Sequence, residues 1–201
     1  MNIHSVHQAA TTPAPADDKR EAILDAALEL FSERTFDGTP VPLIAERAGV
    51  AAGTIYRYFS SKEALVNALY RRWKAEKHRV VVKARTSGGA PREQFGRFWR
   101  GLWRFACDHP RAVAFMDTHH HAPYLDAESL ALSARLEAES LDWIREAQAI
   151  GAIRKADPGL IAVLLMGAFT GMVRIAGPEG LRYDERLIAE TEEIMWSGVK
   201  A

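Results

Sequence analysis

The stretch IAERAGVAAGTIYRYFSSKEAL occupies residues 44–65 and decides the fold of the first part of the chain. Its apolar residues recur at helical spacing up to Gly49, which stands where a left-handed residue is expected to end a helix. A short turn leads into a second helix over residues 52–59, in which Ile55 and Phe59 share one face. Two short helices joined by a glycine turn are typical of a helix-turn-helix, whose second helix lies in the major groove of DNA.

A further helix is predicted before this motif. It begins near Lys19 and ends at the Asp37-Gly38 pair, because the helical spacing of apolar residues stops there. Thr39 is expected to cap the first motif helix, with Pro40 in the first turn, where a missing N–H costs nothing. Three helices therefore make up the predicted N-terminal domain.

A long helix follows the motif. Ser60 and Glu63 match a capping box with Ser60 as the N-cap, and the helical pattern continues to about residue 85. After a loop at residues 86–91 the pattern stays helical, and no alternating pattern indicates a strand. The later predicted helices cover residues 92–108, 110–121, 127–150, 158–176 and 184–197.

These patterns predict an all-α fold, with an N-terminal three-helix helix-turn-helix domain and a C-terminal helical bundle. Residues 1–18 are expected to form a flexible leader, since they are polar, rich in Ala, Pro and Thr, and without period. Residues 19–66 are expected to form the helix-turn-helix domain, with the linking helix running to about residue 85. Residues 67–201 are expected to form the bundle.

The composition argues against a disulfide-rich protein and against a membrane-spanning one. The single cysteine, Cys107, excludes an internal disulfide framework, and we expect a cytoplasmic protein. The longest apolar stretch, residues 160–175, is shorter than the ~20 residues that a membrane-spanning helix needs, so no membrane partner is expected.

The net charge is zero, but residues 19–85 carry 13 Lys and Arg against 8 Asp and Glu, a net charge of +5. This imbalance suits a surface that faces DNA phosphates.

The second motif helix carries side chains suited to DNA. Small residues at its start allow close approach to a groove, and the hydroxyl groups of Tyr56 and Tyr58 suit phosphates. Arg57 can make a bidentate contact to guanine, worth about 1–3 kcal/mol of discrimination. Lys62 begins the next helix, where it can help to hold a phosphate. The predicted DNA-contacting residues are Thr39, Ala52, Gly53, Thr54, Tyr56, Arg57, Tyr58 and Lys62.

Residues 20–73 resemble the DNA-binding module of the TetR/AcrR family of bacterial repressors. The elements Ala-Gly-Val, Gly-Thr-Ile-Tyr, Tyr-Phe and Ser-Lys-Glu-Ala-Leu occur together at the family's spacing. The resemblance places Arg57 on a variable position. The residues that the resemblance places on the family's DNA-contacting positions are Thr54, Tyr56, Tyr58 and Lys62.

Three positions depart from the family's pattern. Pro40 follows Thr39, where the family often has a pair of Thr or Ser residues. Ala51 replaces a polar residue at the start of the second motif helix, and Pro42 stands where some relatives place a basic residue. The first motif helix is therefore expected to contribute little to base reading. Operator choice is expected to depend on Ala52, Gly53, Thr54 and Arg57.

The resemblance implies that the C-terminal helices bind a small-molecule effector and dimerise, with no other cofactor. The sequence itself offers a crowd of aromatic residues over residues 95–124, which can line an apolar pocket. Ordinary bundle core explains these residues equally well. The predicted effector-binding residues are Phe98, Trp99, Trp103, Phe115, Met116, His119, His120 and Tyr124.

The segment Asp117-Thr118-His119-His120-His121 contains good metal ligands. Consecutive side chains on a helix point about 100° apart, however, and only Asp117 and His121 share a face. Two ligands do not make a site, so no metal is predicted. The histidines are expected either to orient an effector or to lie at a solvated or packed helix end.

Residues 158–176 are apolar nearly all round, which predicts burial on more than one side. Gly167 and Gly171 allow another helix to approach closely, and the last helix is amphipathic. These two helices suit a four-helix dimer interface, as the resemblance implies, while a core within one chain is the alternative. The predicted dimer residues are Gly167, Gly171, Ile188, Met195 and Trp196.

Together these features predict a ligand-released repressor that binds a palindromic operator as a homodimer, with its two recognition helices ~34 Å apart. No catalytic residues are predicted, because the sequence shows no nucleophile–base pair, phosphate loop or spaced metal motif. Three alternatives remain: an activator of the same fold, a nonspecific DNA binder, and a helical-bundle enzyme that uses residues 119–121.

Overall fold

The computed structural model describes residues 16–85, 88–119, 123–175 and 184–201. These ranges contain nine helices and no strand, with one isolated bridge between Ile153 and Lys200. The all-α prediction is confirmed. Residues 1–15 of the predicted leader lie outside the described residues. The helices are α1 (Ala16–Glu33), α2 (Val41–Arg47), α3 (Ala52–Tyr58), α4 (Lys62–Arg85), α5 (Pro91–Asp108), α6 (Pro110–His119), α7 (Ala127–Ala149), α8 (Pro158–Ile175) and α9 (Glu185–Val199).

The turn between α2 and α3 forms at Gly49, as the sequence predicts. Gly49 has a φ of 65°, a left-handed conformation that glycine adopts at no steric cost. The Gly49 N–H donates to the Glu46 carbonyl (3.1 Å), and the Val50 N–H donates to the Ala45 carbonyl (3.0 Å). This pair of bonds is a Schellman motif, which satisfies the last carbonyls of α2 and turns the chain into α3.

Two predicted helix caps are wrong by one residue. Pro40 is the N-cap of α2, since its ring holds the backbone extended at φ −70° and ψ 147°. Thr39 precedes it and is fully buried, with its hydroxyl donating to the Thr35 carbonyl (3.0 Å). Ser61 caps α4 in place of the predicted Ser60, because its Oγ accepts the backbone N–H three residues further on (3.1 Å).

The first hydrophobic cluster joins the helix-turn-helix to the body of the protein. Its members from α1–α3 include Phe31, Ile44 and Ile55, each at most 1% exposed. Phe115 of α6 and Leu125, which precedes α7, belong to the same cluster. The core of the first four helices therefore continues into α6.

Asn67 fastens α4 to the segment before α7. Its side chain is 1% exposed and donates to the carbonyls of Glu63 and Tyr124, both at 2.8 Å. The same side chain accepts the Asp126 N–H (2.9 Å). The buried amide is thus hydrogen-bonded through both its oxygen and its nitrogen, as a buried polar group requires.

The second hydrophobic cluster holds α5, α7, α8 and α9 together. At its edge Glu192 of α9, 4% exposed, pairs with Arg92 (2.5 Å) and Arg100 (2.6 Å) of α5. The carboxylate can approach α5 because Gly96 has no side chain, and a Cβ there would lie 2.6 Å from a Glu192 oxygen. Two arginines compensate the buried charge, which fixes α9 on α5.

α8 is covered on one side only. Its face toward the second cluster carries Ile161, Leu165 and Phe169. Its other face carries Leu160, Val163 and Leu164, which are 53%, 68% and 60% exposed and are called the apolar stripe below. Within the single chain α8 is therefore buried on one side, and its predicted burial on a second side stays a prediction that depends on a partner copy. Among the described helices, α8 alone is long and apolar enough to cross a membrane, judged by length and composition.

Candidate nucleic-acid interface and effector region

The outer face of α3 carries polar side chains that were predicted to contact DNA. Ile55 (1% exposed) and Phe59 (5% exposed) anchor this part of the chain in the first cluster. Their burial turns Tyr56, which is 55% exposed, and Arg57 toward solvent. Neither Tyr56 nor Arg57 makes a hydrogen bond or an ion pair with any described residue. Both side chains are therefore available to an external partner.

The start of α3 is small and open. Ala52 and Gly53 are exposed, and no atom lies within 4 Å of the position that a Cβ would take at Gly53. Thr54, within the first turn, and Tyr58, at the opposite end of α3, are partly buried. Such a surface can approach the floor of a major groove closely, because no long side chain holds the helix away.

Lys62 is used within the chain. Its Nζ donates to the Phe36 carbonyl (2.9 Å) and lies 4.0 Å from the centroid of the Phe36 ring. An ammonium group has three N–H donors, so one hydrogen bond leaves capacity for a phosphate. Lys62 therefore fixes the loop between α1 and α2 as well as standing at the start of α4.

Thr39 lies inside the domain and not at its surface, which corrects its predicted role as a DNA contact. Its side chain is 0% exposed, and its hydroxyl is satisfied by the Thr35 carbonyl. The role that the structure gives to Thr39 is structural.

The residues predicted to line one effector pocket fall into two different clusters. Phe98, Trp99 and Trp103 of α5 pack in or against the second cluster. The remaining described members pack in or around the first cluster: Phe115, Met116, His119 and Tyr124. Helical spacing explains the division, because α5 carries aromatic residues on more than one face. These residues therefore do not form one cluster in the described chain, and their role in effector binding stays a prediction. His120 lies outside the described residues.

His119 is a buried member of the core. It is 0% exposed, its Nε2 lies 3.3 Å from the Phe31 carbonyl, and its Nδ1 is hydrogen-bonded to the Tyr124 hydroxyl. A neutral ring satisfies both contacts, with Nε2–H donating to Phe31 and Nδ1 accepting from Tyr124. Burial lowers the pKa of His119 below its ordinary value. His119 therefore corresponds to a packed helix end, the alternative to an effector contact.

A surface pocket of about 380 Å³ lies between α4 and the junction of α5 and α6. No sequence pattern predicts this pocket, because its lining residues come together only in the folded chain. Arg72 and Arg79 are already paired, with Glu21 (2.6 Å) and Glu76 (2.6 Å) respectively. The pocket is lined by Arg72, Trp73, Ala75, Glu76, Arg79 and His109.

The predicted dimer residues differ in their surroundings. Gly167 and Gly171 of α8 have no atom within 4 Å of a Cβ position, so their side of the helix is open. Ile188, Met195 and Trp196 of α9 are partly buried against the second cluster. Ile194, another apolar residue of the amphipathic last helix, is 63% exposed. No group of three His, Cys, Asp or Glu residues within the described ranges is placed to hold a metal ion.

Known proteins match both parts of the chain. The family model described as "Bacterial regulatory proteins, tetR family" matches residues 23–69. A second family model, described as "Tetracyclin repressor-like, C-terminal domain", matches residues 78–201. Over 66 residues the chain is 42% identical to the HTH-type transcriptional repressor KstR2 of Rhodococcus jostii, a match covering 30% of this chain and 32% of that protein. The chain thus spans about a third of the length of the curated relatives it matches.

Solved structures share the whole fold. A TetR family transcription regulator from Marinobacter aquaeolei has a TM-score of 0.83 and 22% identity, covering 92% of this chain and 96% of that one. AibR, in a complex with isovaleryl coenzyme A and operator DNA, has a TM-score of 0.76 and 21% identity, covering 89% of this chain and 98% of that one. At these identities the likeness shows the fold.

A helix-turn-helix with an open recognition face, carried on a helical body, defines a DNA-binding transcriptional regulator. Because the two family models together match most of the residues, the chain belongs to the TetR family of bacterial regulatory proteins.

Proposed function

We propose that the protein is a cytoplasmic, ligand-released repressor that binds a palindromic operator as a homodimer. The observation that carries this proposal is the exposed face of α3, where Tyr56 and Arg57 have no partner among the described residues. Phosphate contacts would position the protein, and Arg57 would read a base. Two similar proteins support the proposal. KstR2 is a transcriptional repressor, and AibR has a crystal structure in complex with operator DNA.

The homodimer would form through the apolar stripe of α8. Leu160, Val163 and Leu164 are each more than half exposed, and Ile194 of α9 adds a fourth exposed apolar side chain. Large exposed apolar side chains at helical spacing on one face of a helix mark an interaction site. Two copies related by a two-fold axis would bury it and present two α3 helices to two half-sites.

The effector would act through α6. Arg111 near the start of α6 lies 3.8 Å from Glu29 of α1, and Glu29 also pairs with Arg47 of α2. At the other end of α6, His119 contacts the Phe31 carbonyl of α1. A displacement of α6 would therefore move α1 and α2 with it. An effector that binds better to the displaced state shifts the population toward dimers with the wrong spacing of α3 helices.

The test is the selection of bound sequences from a random DNA pool by the full-length protein at near-physiological salt. We expect a palindromic motif from the natural protein and loss of preference at one position in each half-site from Arg57→Ala. Arg135→Ala is the matched control, because Arg135 is an exposed arginine of α7, far along the chain from α3. Recovery of no motif, or of a motif without internal symmetry, would contradict the proposal.

A further inference from the structure

The ammonium group of Lys62, a predicted phosphate contact, is tied twice to the loop between α1 and α2. Its Nζ lies 4.0 Å from the centroid of the Phe36 ring and donates to the Phe36 carbonyl (2.9 Å). The same carbonyl accepts the Thr39 N–H (3.2 Å), which closes the turn that leads into α2. Because both ties go to one residue, the position of the ammonium group follows the position of Phe36.

Phe36 lies outside the helices, in the loop of residues 34–40, so ring packing holds it. The Tyr124 ring stacks on it with 4.2 Å between the centroids and 20° between the planes, and the Phe31 ring lies further away, at 6.1 Å. A ring stacked at 4.2 Å leaves no room for an ammonium group on the face that it covers. Lys62 therefore stands over the opposite face, and Phe36 lies between Lys62 and Tyr124.

Tyr124 is itself fixed to the body of the protein. Its hydroxyl is hydrogen-bonded to Nδ1 of His119 at the end of α6, and its carbonyl accepts the Asn67 amide of α4 (2.8 Å). His119 and Asn67 are buried, at 0% and 1% exposed. The Tyr124 ring is thus a firm support for a loop residue that no helix holds.

The order of the Lys62 side chain affects DNA binding through entropy. A long side chain that becomes immobilised at an interface loses rotamer freedom, which weakens binding. A lysine that is already ordered in the free protein loses less. Its ammonium group still has N–H donors for a phosphate oxygen, and it stands at the N-terminus of α4, which attracts the same anion.

We propose that Tyr124 is a positioning residue for operator binding. Its ring supports Phe36, and Phe36 holds the Lys62 ammonium group where that group meets a phosphate of the DNA backbone. This inference rests on the proposed function, since it makes a residue of the body part of the DNA-binding surface which that function requires.

The experiment is a double-mutant cycle on Tyr124 and Lys62. Fluorescence anisotropy measures the DNA affinity of the full-length natural protein, of Tyr124→Leu, of Lys62→Gln and of the double variant, on the sequence recovered by selection. Urea unfolding establishes that each variant is folded at the assay temperature. Leu125→Ala is the matched control, because Leu125 is the next residue, is 7% exposed in the first cluster and carries no ring.

We expect Tyr124→Leu to weaken DNA binding by about 2- to 10-fold for each half-site, which corresponds to the cost of immobilising one long side chain. In the Lys62→Gln background the same substitution should change the affinity by less than about twofold, because no ammonium group is left to position. Tyr124→Phe should retain the natural affinity, since its ring still stacks on Phe36. Leu125→Ala should retain it as well.

Three results would overturn the inference. Equal weakening by Tyr124→Leu in both backgrounds would show a structural role, because such a role does not depend on Lys62. Equal weakening by Leu125→Ala or by Tyr124→Phe would show that the stacked ring is not what matters. Tighter DNA binding by Tyr124→Leu would show that Phe36 withholds Lys62 from DNA.

The effect of Lys62→Gln separates this inference from the proposed function. If Lys62 binds a phosphate, the substitution lowers the slope of log Kd against log salt concentration by about 0.9 for each half-site. Specific DNA binding that is insensitive to Lys62→Gln would remove the inference and leave the repressor proposal intact. Absence of specific DNA binding in the natural protein would remove the proposed function, and the inference with it.

Discussion

α3 and α8 both leave one face uncovered, but the two faces have opposite chemistry. α3 exposes a tyrosine and an arginine that make no hydrogen bond or ion pair within the described part of the chain. α8 exposes three large aliphatic side chains, with two open glycines beside them. A polar face suits a hydrated, charged partner such as DNA, whereas an aliphatic face suits an equally apolar one such as a second copy.

The largest expected effect is on the α8 side of this comparison. Leu164→Glu places a carboxylate in the proposed dimer interface, where two copies would bring two charges together without partners. We expect the dimer to weaken by at least about 100-fold, or ~3 kcal/mol, as measured by sedimentation equilibrium. Leu130→Glu is the control, since Leu130 is a leucine of α7 that is 52% exposed and lies off the stripe. Equal weakening by both variants would argue against an interface on α8.

The next effect divides the α3 face into reading and positioning. Arg57→Ala should remove discrimination at one base pair of each half-site, about 1–3 kcal/mol, while binding to other positions changes little. Tyr56→Phe should weaken all sequences alike, by ~1 kcal/mol, because it removes one hydroxyl contact to phosphate. Competition binding with single-base variants of the operator measures both. Altered preference in Tyr56→Phe with unchanged preference in Arg57→Ala would reverse the two roles.

A third effect concerns the polar groups that α6 buries behind α1. Because burial lowers the pKa of His119 below 6.5, the unfolded chain takes up a proton first as the pH falls. Stability is therefore fully present above about pH 7 and is lost as the pH falls from 6.5 toward the lowered pKa.

His119→Leu should reduce this loss between about pH 7.5 and 5.5. The control is His78→Leu, which removes a partly exposed histidine of α4 that lies 2.8 Å from Glu139, and it should retain the loss. At neutral pH the His119 variant should be about 1–3 kcal/mol less stable, because the Tyr124 hydroxyl and the Phe31 carbonyl lose their partner. Urea unfolding at the two pH values measures both quantities. An undiminished acid loss in His119→Leu would place the responsible proton elsewhere.

The smallest effect tests the boundary of the α3 surface. Thr39→Val should lower the free energy of unfolding by about 0.5–1.5 kcal/mol, since one buried hydrogen bond is lost. The preference among operator sequences should not change, because the side chain is fully buried. A changed preference without a change in stability would return Thr39 to the set of DNA contacts.

The helix-turn-helix was predictable because its signals are local. The turn at Gly49 depends on the conformation of that one residue, and the burial of Ile55 and Phe59 depends on their spacing along one helix. Both could therefore be predicted from residues that are neighbours in the sequence. The caps were placed one residue off because Thr39 and Pro40, like Ser60 and Ser61, offer adjacent choices that loop packing decides. The surroundings of the predicted effector-binding residues could not be predicted in this way. The contacts of the α5 aromatic residues depend on how α6, α8 and α9 pack against α5.

The shared core of α1–α4 and α6 restricts how this protein can be recombined with its relatives. Joining its first 66 residues to another body would separate Phe31 from Phe115 and would leave the inner side of α1 facing foreign side chains. Exchange of the outer residues of α3 alone leaves those contacts intact. New operator preference in such a chain is therefore more accessible by point substitution on one short helix than by shuffling of whole segments.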